Sequence, residues 1–202
     1  DPSELASPEA VGRYAAERAL SRLKPRRVPT AEVPVLFEST VAAGLLGSLV
    51  AATSGGALYR KASFLLDSLG TQVLPDHVDV FEDPHVPKGK GSAMFDDEGV
   101  RTKARRVVDG GLLEGYFLSS YSARKLGMKT TGHAGGSQNL VLTSRRTKAG
   151  DTLAAMIRRL HRGLFVTEMM GQGINGVTGD YSRGAAGFWV EDGAIAFPVQ
   201  EI

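Results

Sequence analysis

The sequence predicts an α+β fold with mixed, largely antiparallel sheets, hairpins and a few packed helices. Two apolar pairs of runs are joined by Asp109-Gly110-Gly111 and Asp192-Gly193, turn chemistry that signals β-hairpins. Helical and extended stretches follow one another in no regular βαβ series. The 202 residues include 25 glycines, well above the ~7% of average usage, so many turns and short strands are expected.

The elements follow in order. Ser7-Pro8-Glu9 opens a helix: a hydroxyl cap, proline in the first turn and an acid at the positive end of the dipole. Apolar residues then recur at helical spacing to Leu23, and Pro25 to Pro29 breaks the helix as a linker. Val33 to Phe37 contains Pro34 and reads as an edge strand. Thr40 to Thr53 is a second helix, ended by Ser54-Gly55-Gly56. Leu58 to Gly70 fits helix or buried strand, and Val78 to Phe81 reads as a strand. Arg105 to Val108 and Leu112 to Leu118 form the first hairpin. Tyr121 to Leu126 is a short helix closed by Gly127; Thr130 to Gly136 is a loop and Leu140 to Thr143 a strand. Asp151 caps a helix from Thr152 to His161, closed by Gly163. Leu164 to Met170 is a strand, Gly171 to Gly187 a long glycine-rich loop, and Phe188 to Val199 the second hairpin.

Composition narrows the function. A chain with no cysteine has no disulfide scaffold, no thiolate metal site and no thiol nucleophile. Its 24 Lys and Arg against 22 Asp and Glu leave no nucleic-acid footprint. The longest apolar run, Val41 to Ala52, is interrupted by glycines and falls short of the ~20 residues of a membrane span. The chain starts at Asp1 without a leader and stops at Ile202 without a polar tail, so it reads as a piece of a longer protein.

Several motifs invite a chemical reading. Gly171-Gln172-Gly173-Ile174-Asn175-Gly176 matches G-x-G-x-x-G, but loop follows it where a dinucleotide site needs a helix, so it reads as a structural turn. Ser122-Ala123-Arg124-Lys125 with Lys129-Thr130-Thr131-Gly132 resembles the S-x-x-K and K-T-G pair of serine acyl-enzymes, yet lacks the element between them; it reads as a solvated helix end. Asp76, His77, Asp79, Asp83 and His85 cluster in one stretch without a named metal spacing and read as an exposed polar loop. Asp96-Asp97-Glu98 reads as solvated acid at a turn. Glu168, inside an apolar strand, is the acid expected to be buried and paired. His133, flanked by glycines, fits either a binding residue or a hydrogen-bonded loop anchor.

Six blocks together carry a family resemblance: Ser54 to Lys61, Phe64 to Gly70, Asp97 to Thr102, Ser119 to Gly127, Thr131 to Gly136, and Thr178 to Trp189. From about Val35 to Ile202 the chain closely resembles the PmbA (TldE) branch of the TldD/PmbA family, once labelled modulators of DNA gyrase. The resemblance implies residues 31–202 as the family's C-terminal domain, truncated at its end, with residues 1–30 as a helix and linker trailing a missing N-terminal region. It further implies a cytoplasmic, heterodimeric, zinc-dependent protease of unfolded or flexible peptides, acting also in microcin maturation and antitoxin removal.

In the TldD branch a helical H-E-x-x-x-H supplies zinc ligands and the general base. The corresponding positions here read Glu38-Ser39-Thr40-Val41-Ala42-Ala43. Ser39 is too weak a base for zinc-bound water, and Ala43 has no ligand atom. The resemblance therefore implies no catalytic residue, metal or cofactor in this chain, with zinc in a TldD-like partner. This chain would be the non-catalytic subunit, or a homodimer in isolation, acting on unfolded peptides and touching neither nucleic acid nor membrane. Arg124, His133, Asp180 and Arg183 fall in the most family-like loops, where they would line a peptide channel or brace the loops. Two rivals are an autonomous metalloprotease using His77, His85, His133 or Glu38, and a gyrase-binding module.

Overall fold

The computed structural model describes residues 4–202. In chain order the elements are α1 (Pro8–Ser21), β1 (Val35–Phe37), α2 (Ser39–Ala52), α3 (Gly55–Tyr59), β2 (Val78–Glu82), β3 (Arg105–Asp109) and β4 (Leu112–Leu113). They continue with α4 (Ser120–Lys125), β5 (Leu140–Ser144), α5 (Leu153–Leu160), β6 (Gly163–Met170), β7 (Gly184–Glu191) and β8 (Ala194–Val199). The fold is α+β, with two sheets of four strands in which only β1 and β6 run parallel. No helix among the described residues is long and apolar enough to cross a membrane.

The chain divides into two compact units. One comprises Asp1–Ala42, Gly150–Gln172 and Arg183–Ile202. Its sheet has the order β1-β6-β7-β8, so the short strand β1 is an edge, as Pro34 beside it suggests. Ile157 of α5 packs with Phe165 and Val190, and Leu36, Leu160 and Phe188 surround them. Ser7 caps α1 through the Ala10 N–H, but α1 buries no residue. Two ion pairs hold it: Arg18 with Glu38, and Arg22 with Glu168.

The other unit comprises Ala43–Ala149 and Gly173–Ser182, with the antiparallel sheet β4-β3-β2-β5. Its core joins Leu58, Val80, Val107, Val108, Leu113, Phe117 and Leu118. Gly110 and Gly111 turn β3 into β4 with φ of +55° and +79°, a left-handed pair that suits the twist of a two-residue hairpin.

The structure corrects several expected boundaries. Gly55 and Gly56 do not merely end α2: Ser54 accepts the Ala57 N–H and caps the new helix α3. Leu58 to Gly70 is, past α3, neither helix nor strand but a run of turns. The first hairpin is shorter than expected. After Glu114, whose N–H still reaches the Val107 carbonyl at 2.9 Å, the chain leaves β3, and Phe117 exchanges hydrogen bonds with Thr53 and Gly55 instead. The cap of α5 is Thr152, while Asp151 pairs with Arg159 at 2.7 Å. Gly163 does not close that helix; it starts β6, where a side chain would run into the Pro34 carbonyl. Gly184 to Gly187 belongs to β7, because a Cβ at Gly187 would overlap the Phe165 carbonyl across the ladder.

Candidate functional site

Helix α2 presents a face of small residues in the second unit. Gly44, Gly47, Ser48, Ala51 and Ala52 line a groove of about 680 Å³, walled opposite by Phe64, Leu65 and Tyr181. A Cβ at Gly44 or Gly47 would meet nothing within 4 Å, so these glycines hold space open. The segment Gly173–Ser182 folds back on itself: the Ser182 N–H reaches the Gly173 carbonyl at 2.7 Å and the Asn175 N–H the Asp180 carbonyl at 2.9 Å. The Phe64 N–H donates to Gly176 O at 2.9 Å and joins this loop to the groove wall. Of the glycines in the G-x-G-x-x-G match, Gly173 permits close backbone approach, since a Cβ there would overlap the Ser182 carbonyl; no helix opens at them.

The positions singled out at the start of α2 are already committed or inert. Both Glu38 oxygens are held by Arg18, at 2.6 and 3.0 Å, and Arg18 also donates to the Thr167 carbonyl at 3.4 Å. The carboxylate strengthens the arginine's hold on its proton. Ser39 and Ala43 are exposed. These residues do not fit a zinc site. Among the described residues, no group of three or more His, Asp or Glu is placed to hold a metal. The polar stretch 76–85 disperses instead. His77 Nδ1 lies 3.0 Å from Ser144 Oγ, Asp79 pairs with Arg145 at 2.9 Å, and Asp83 accepts the His85 N–H at 2.8 Å.

Glu168 is not buried: its side chain is 44% exposed beside Arg22, whereas Glu82 is a buried acid that the sequence reading did not single out. Glu82 is fully buried at the end of β2. Its Oε2 accepts from Arg105 Nε and His133 Nε2, both at 2.8 Å, and its Oε1 accepts the Gln138 N–H at 2.7 Å. A carboxylate can only accept, so Nε2 of His133 carries the proton. Nδ1 of His133 faces Thr131 Oγ1 at 2.9 Å. The Phe117 ring packs edge-on against His133 at 5.0 Å, and the Arg105 guanidinium lies 4.6 Å from its centroid. Burial pushes the Glu82 carboxyl up, but His133, the Gln138 N–H and Arg105 together outweigh it and hold it below the ordinary range.

Asp96 corrects another expectation. It is buried, and it accepts the N–H groups of Glu98 and Val100 on one oxygen and of Ala134 on the other, at 2.9 to 3.0 Å. Burial opposes ionisation there too, and the three N–H groups overcome it.

Arg124 is exposed on α4. Asp180 is exposed and accepts the Thr178 hydroxyl at 2.6 Å. Arg183 is half-buried, and its Nε has no partner among the described residues. Ser122 is buried in a reciprocal cap with Ser119, and Lys125 lies over the Tyr121 ring, so the S-x-x-K match brings no base to the serine. The pattern Val78, Val80, Glu82 could have disclosed the buried acid, because alternation puts it on the same face as two buried valines.

Residues 30–202 match the family described as the PmbA/TldA metallopeptidase C-terminal domain. The chain belongs to this TldD/PmbA family. It is 53% identical over 200 residues to Metalloprotease PmbA of Escherichia coli O157:H7, covering 99% of this chain and 44% of that protein. It is 52% identical over 199 residues to the Metalloprotease PmbA homolog of Haemophilus influenzae, covering 98% and 44%. The chain thus spans less than half the length of the PmbA relatives it matches. A solved structure from Thermotoga maritima, named for modulation of DNA gyrase, superposes with a TM-score of 0.86 at 33% identity, covering 99% of this chain and 47% of that one. TldE from Thermococcus kodakarensis shares the fold, with a TM-score of 0.74 at 23% identity, covering 95% and 45%.

Proposed function

We propose that this chain is the C-terminal part of a PmbA/TldE-like, non-catalytic subunit of a two-component zinc metalloprotease acting on unfolded or flexible peptides. One observation carries the reading. At the start of α2, where a TldD-type chain bears its zinc motif, Glu38 is locked to Arg18 while Ser39 and Ala43 offer no ligand. A TldD-like partner supplies the zinc and the base, and this chain supplies enclosing surface. Names given to its relatives support the association with metalloproteases.

The small-residue groove along α2 suits a main chain held in extended form, since glycine and alanine walls permit close approach and impose little side-chain preference. His133 braces the fold in this reading, exposed Arg124 and Asp180 supply polar surface on the second unit, and half-buried Arg183 belongs to the first. The setting is cytoplasmic.

The test is zinc content and peptide cleavage of the purified protein, alone and co-expressed with a TldD-like partner. We expect neither zinc nor cleavage alone, and both in the co-purified pair. Stoichiometric zinc and chelator-sensitive cleavage by the isolated protein would overturn the reading.

A further inference from the structure

The chain holds two asparagines, Asn139 and Asn175, and the fold treats their side chains in opposite ways. Asn139 is bound through both ends of its amide. Its Nδ2 donates to the Asp83 carbonyl at 2.9 Å and to Ser92 Oγ at 2.7 Å, and its Oδ1 accepts the Gly91 N–H at 2.9 Å. Leu140 follows it and opens β5.

Asn175 is followed by Gly176, and both are exposed in the loop Gly173–Ser182. Among the described residues, Asn175 Nδ2 donates to no group and the Gly176 N–H has no acceptor. Oδ1 alone is engaged: it accepts the Val177 N–H at 3.0 Å and the Thr178 N–H at 3.4 Å. Intramolecular attack on a side-chain amide needs this combination of an unclaimed main-chain nitrogen, an unclaimed leaving group and a polarised carbonyl. Glycine at the next position leaves that nitrogen sterically open. The two donors on Oδ1 draw electrons from Cγ, and they stand where negative charge gathers as Cγ becomes tetrahedral, in the manner of an oxyanion hole.

We propose that Asn175-Gly176 is a self-modifying site, at which the chain converts its own asparagine to a carboxylate through a cyclic imide. The deprotonated Gly176 nitrogen bonds to Asn175 Cγ and the Cγ–Nδ2 bond breaks. Ammonia leaves, taking up through solvent the proton that the Gly176 nitrogen gave up. Water then opens the imide. Addition at Cγ yields aspartate; addition at the main-chain carbonyl carbon of Asn175 yields isoaspartate, whose main chain runs through the side chain and gains one methylene. Water is the only co-reactant, and nothing is oxidised or reduced.

The position gives the reaction a consequence. Ile174, Gly176, Gly179 and Tyr181 border the mainly apolar groove along α2. The Gly176 carbonyl accepts the Phe64 N–H at 2.9 Å, so a lengthened main chain at 175 pulls on the groove wall. The new carboxylate also adds negative charge at the groove's edge, one main-chain hydrogen bond from Asp180.

Incubation of the purified protein at neutral and mildly alkaline pH, followed by peptide mapping with mass spectrometry, tests the site. We expect the Asn175 peptide to gain the mass difference between an amide and an acid and to separate into aspartate and isoaspartate forms. The Asn139 peptide in the same sample should stay unchanged. Conversion should quicken with pH, because attack needs the deprotonated nitrogen. Gly176→Ala should slow it several-fold, and the fold has room for the methyl group, since a Cβ there meets only the Ala62 carbonyl, at 3.6 Å. Asn175→Gln, which would have to close a larger ring, serves as a second variant and should stay intact over the same interval. An Asn175 peptide that stays intact in the folded protein overturns the proposal. So does conversion only after unfolding in urea, equal conversion at Asn139, or a rate that Gly176→Ala leaves unchanged.

Discussion

Glu82 and His133, 51 residues apart in sequence, meet through a 2.8 Å hydrogen bond between two side chains that are 0% and 1% exposed. With Arg105 and the Gln138 N–H, they form a buried polar cluster.

Removing the acid leaves three donors facing a void. Glu82→Ala should destabilise the protein by about 3–5 kcal/mol, the usual cost of stripping one partner from a buried ion pair. Glu82→Gln, which keeps the shape but loses the charge, should cost less. Urea unfolding midpoints measure both; a loss below about 1 kcal/mol for the alanine variant would contradict this account.

The exposed counterpart behaves differently. Arg18 and Glu38 have side-chain exposures of 37% and 20%, so water screens the pair. Arg18→Ala should cost no more than about 1 kcal/mol. Comparing its unfolding midpoint with that of Glu82→Ala separates the two environments, and equal losses would refute the distinction.

Acid should loosen the fold. Glu82, Asp96 and Asp79 are all held below the ordinary carboxylate range. For Asp79 the Gly110 N–H contributes most, then Arg145. A lowered folded value means the unfolded chain binds protons first, so the stabilisation is complete above the unfolded carboxylate pKa of ~4 and disappears as pH falls through the folded values. Urea midpoints between neutrality and strong acid should decline below about pH 4–5, and Glu82→Gln should flatten that decline. A stability that held constant into strong acid would count against the assignment.

Two glycines of one strand should differ in their tolerance of a methyl group. Gly187→Ala drives a Cβ into the Phe165 carbonyl, a backbone atom that cannot swing away, and should cost about 1–3 kcal/mol or more. Gly184→Ala meets its nearest neighbour, the Met170 Cβ, only at 3.6 Å and should be nearly neutral. Thermal unfolding of the two variants decides it, and similar melting temperatures would argue against the ladder register described.

These contrasts mark where sequence reasoning works. Periodicity and turn chemistry located both helices that flank β1, the Asp-Gly hairpins and the edge position of β1, because such signals are local. Burial of a charged residue is set by partners far along the chain. Glu168 looked buried because Val166, Met169 and Met170 surround it in sequence, yet its side chain turns to Arg22. Asp96 looked solvated because acids cluster there, yet Ala134, 38 residues away, closes over it. The absence of ligand atoms at Ser39 and Ala43 could be read directly; the commitment of Glu38 to Arg18 needed the packing of α1.

The Glu82 cluster also couples segments that are distant in sequence. β2 and β3 come close in sequence and deliver Glu82 to Arg105, but His133 and Gln138 arrive on a later segment. Until that segment docks, the carboxylate keeps its water, and drying it early would raise the energy of any intermediate. The desolvation of Glu82 is compensated in full only with residues 131–138 in place, which ties that segment to β2 across 51 residues of chain.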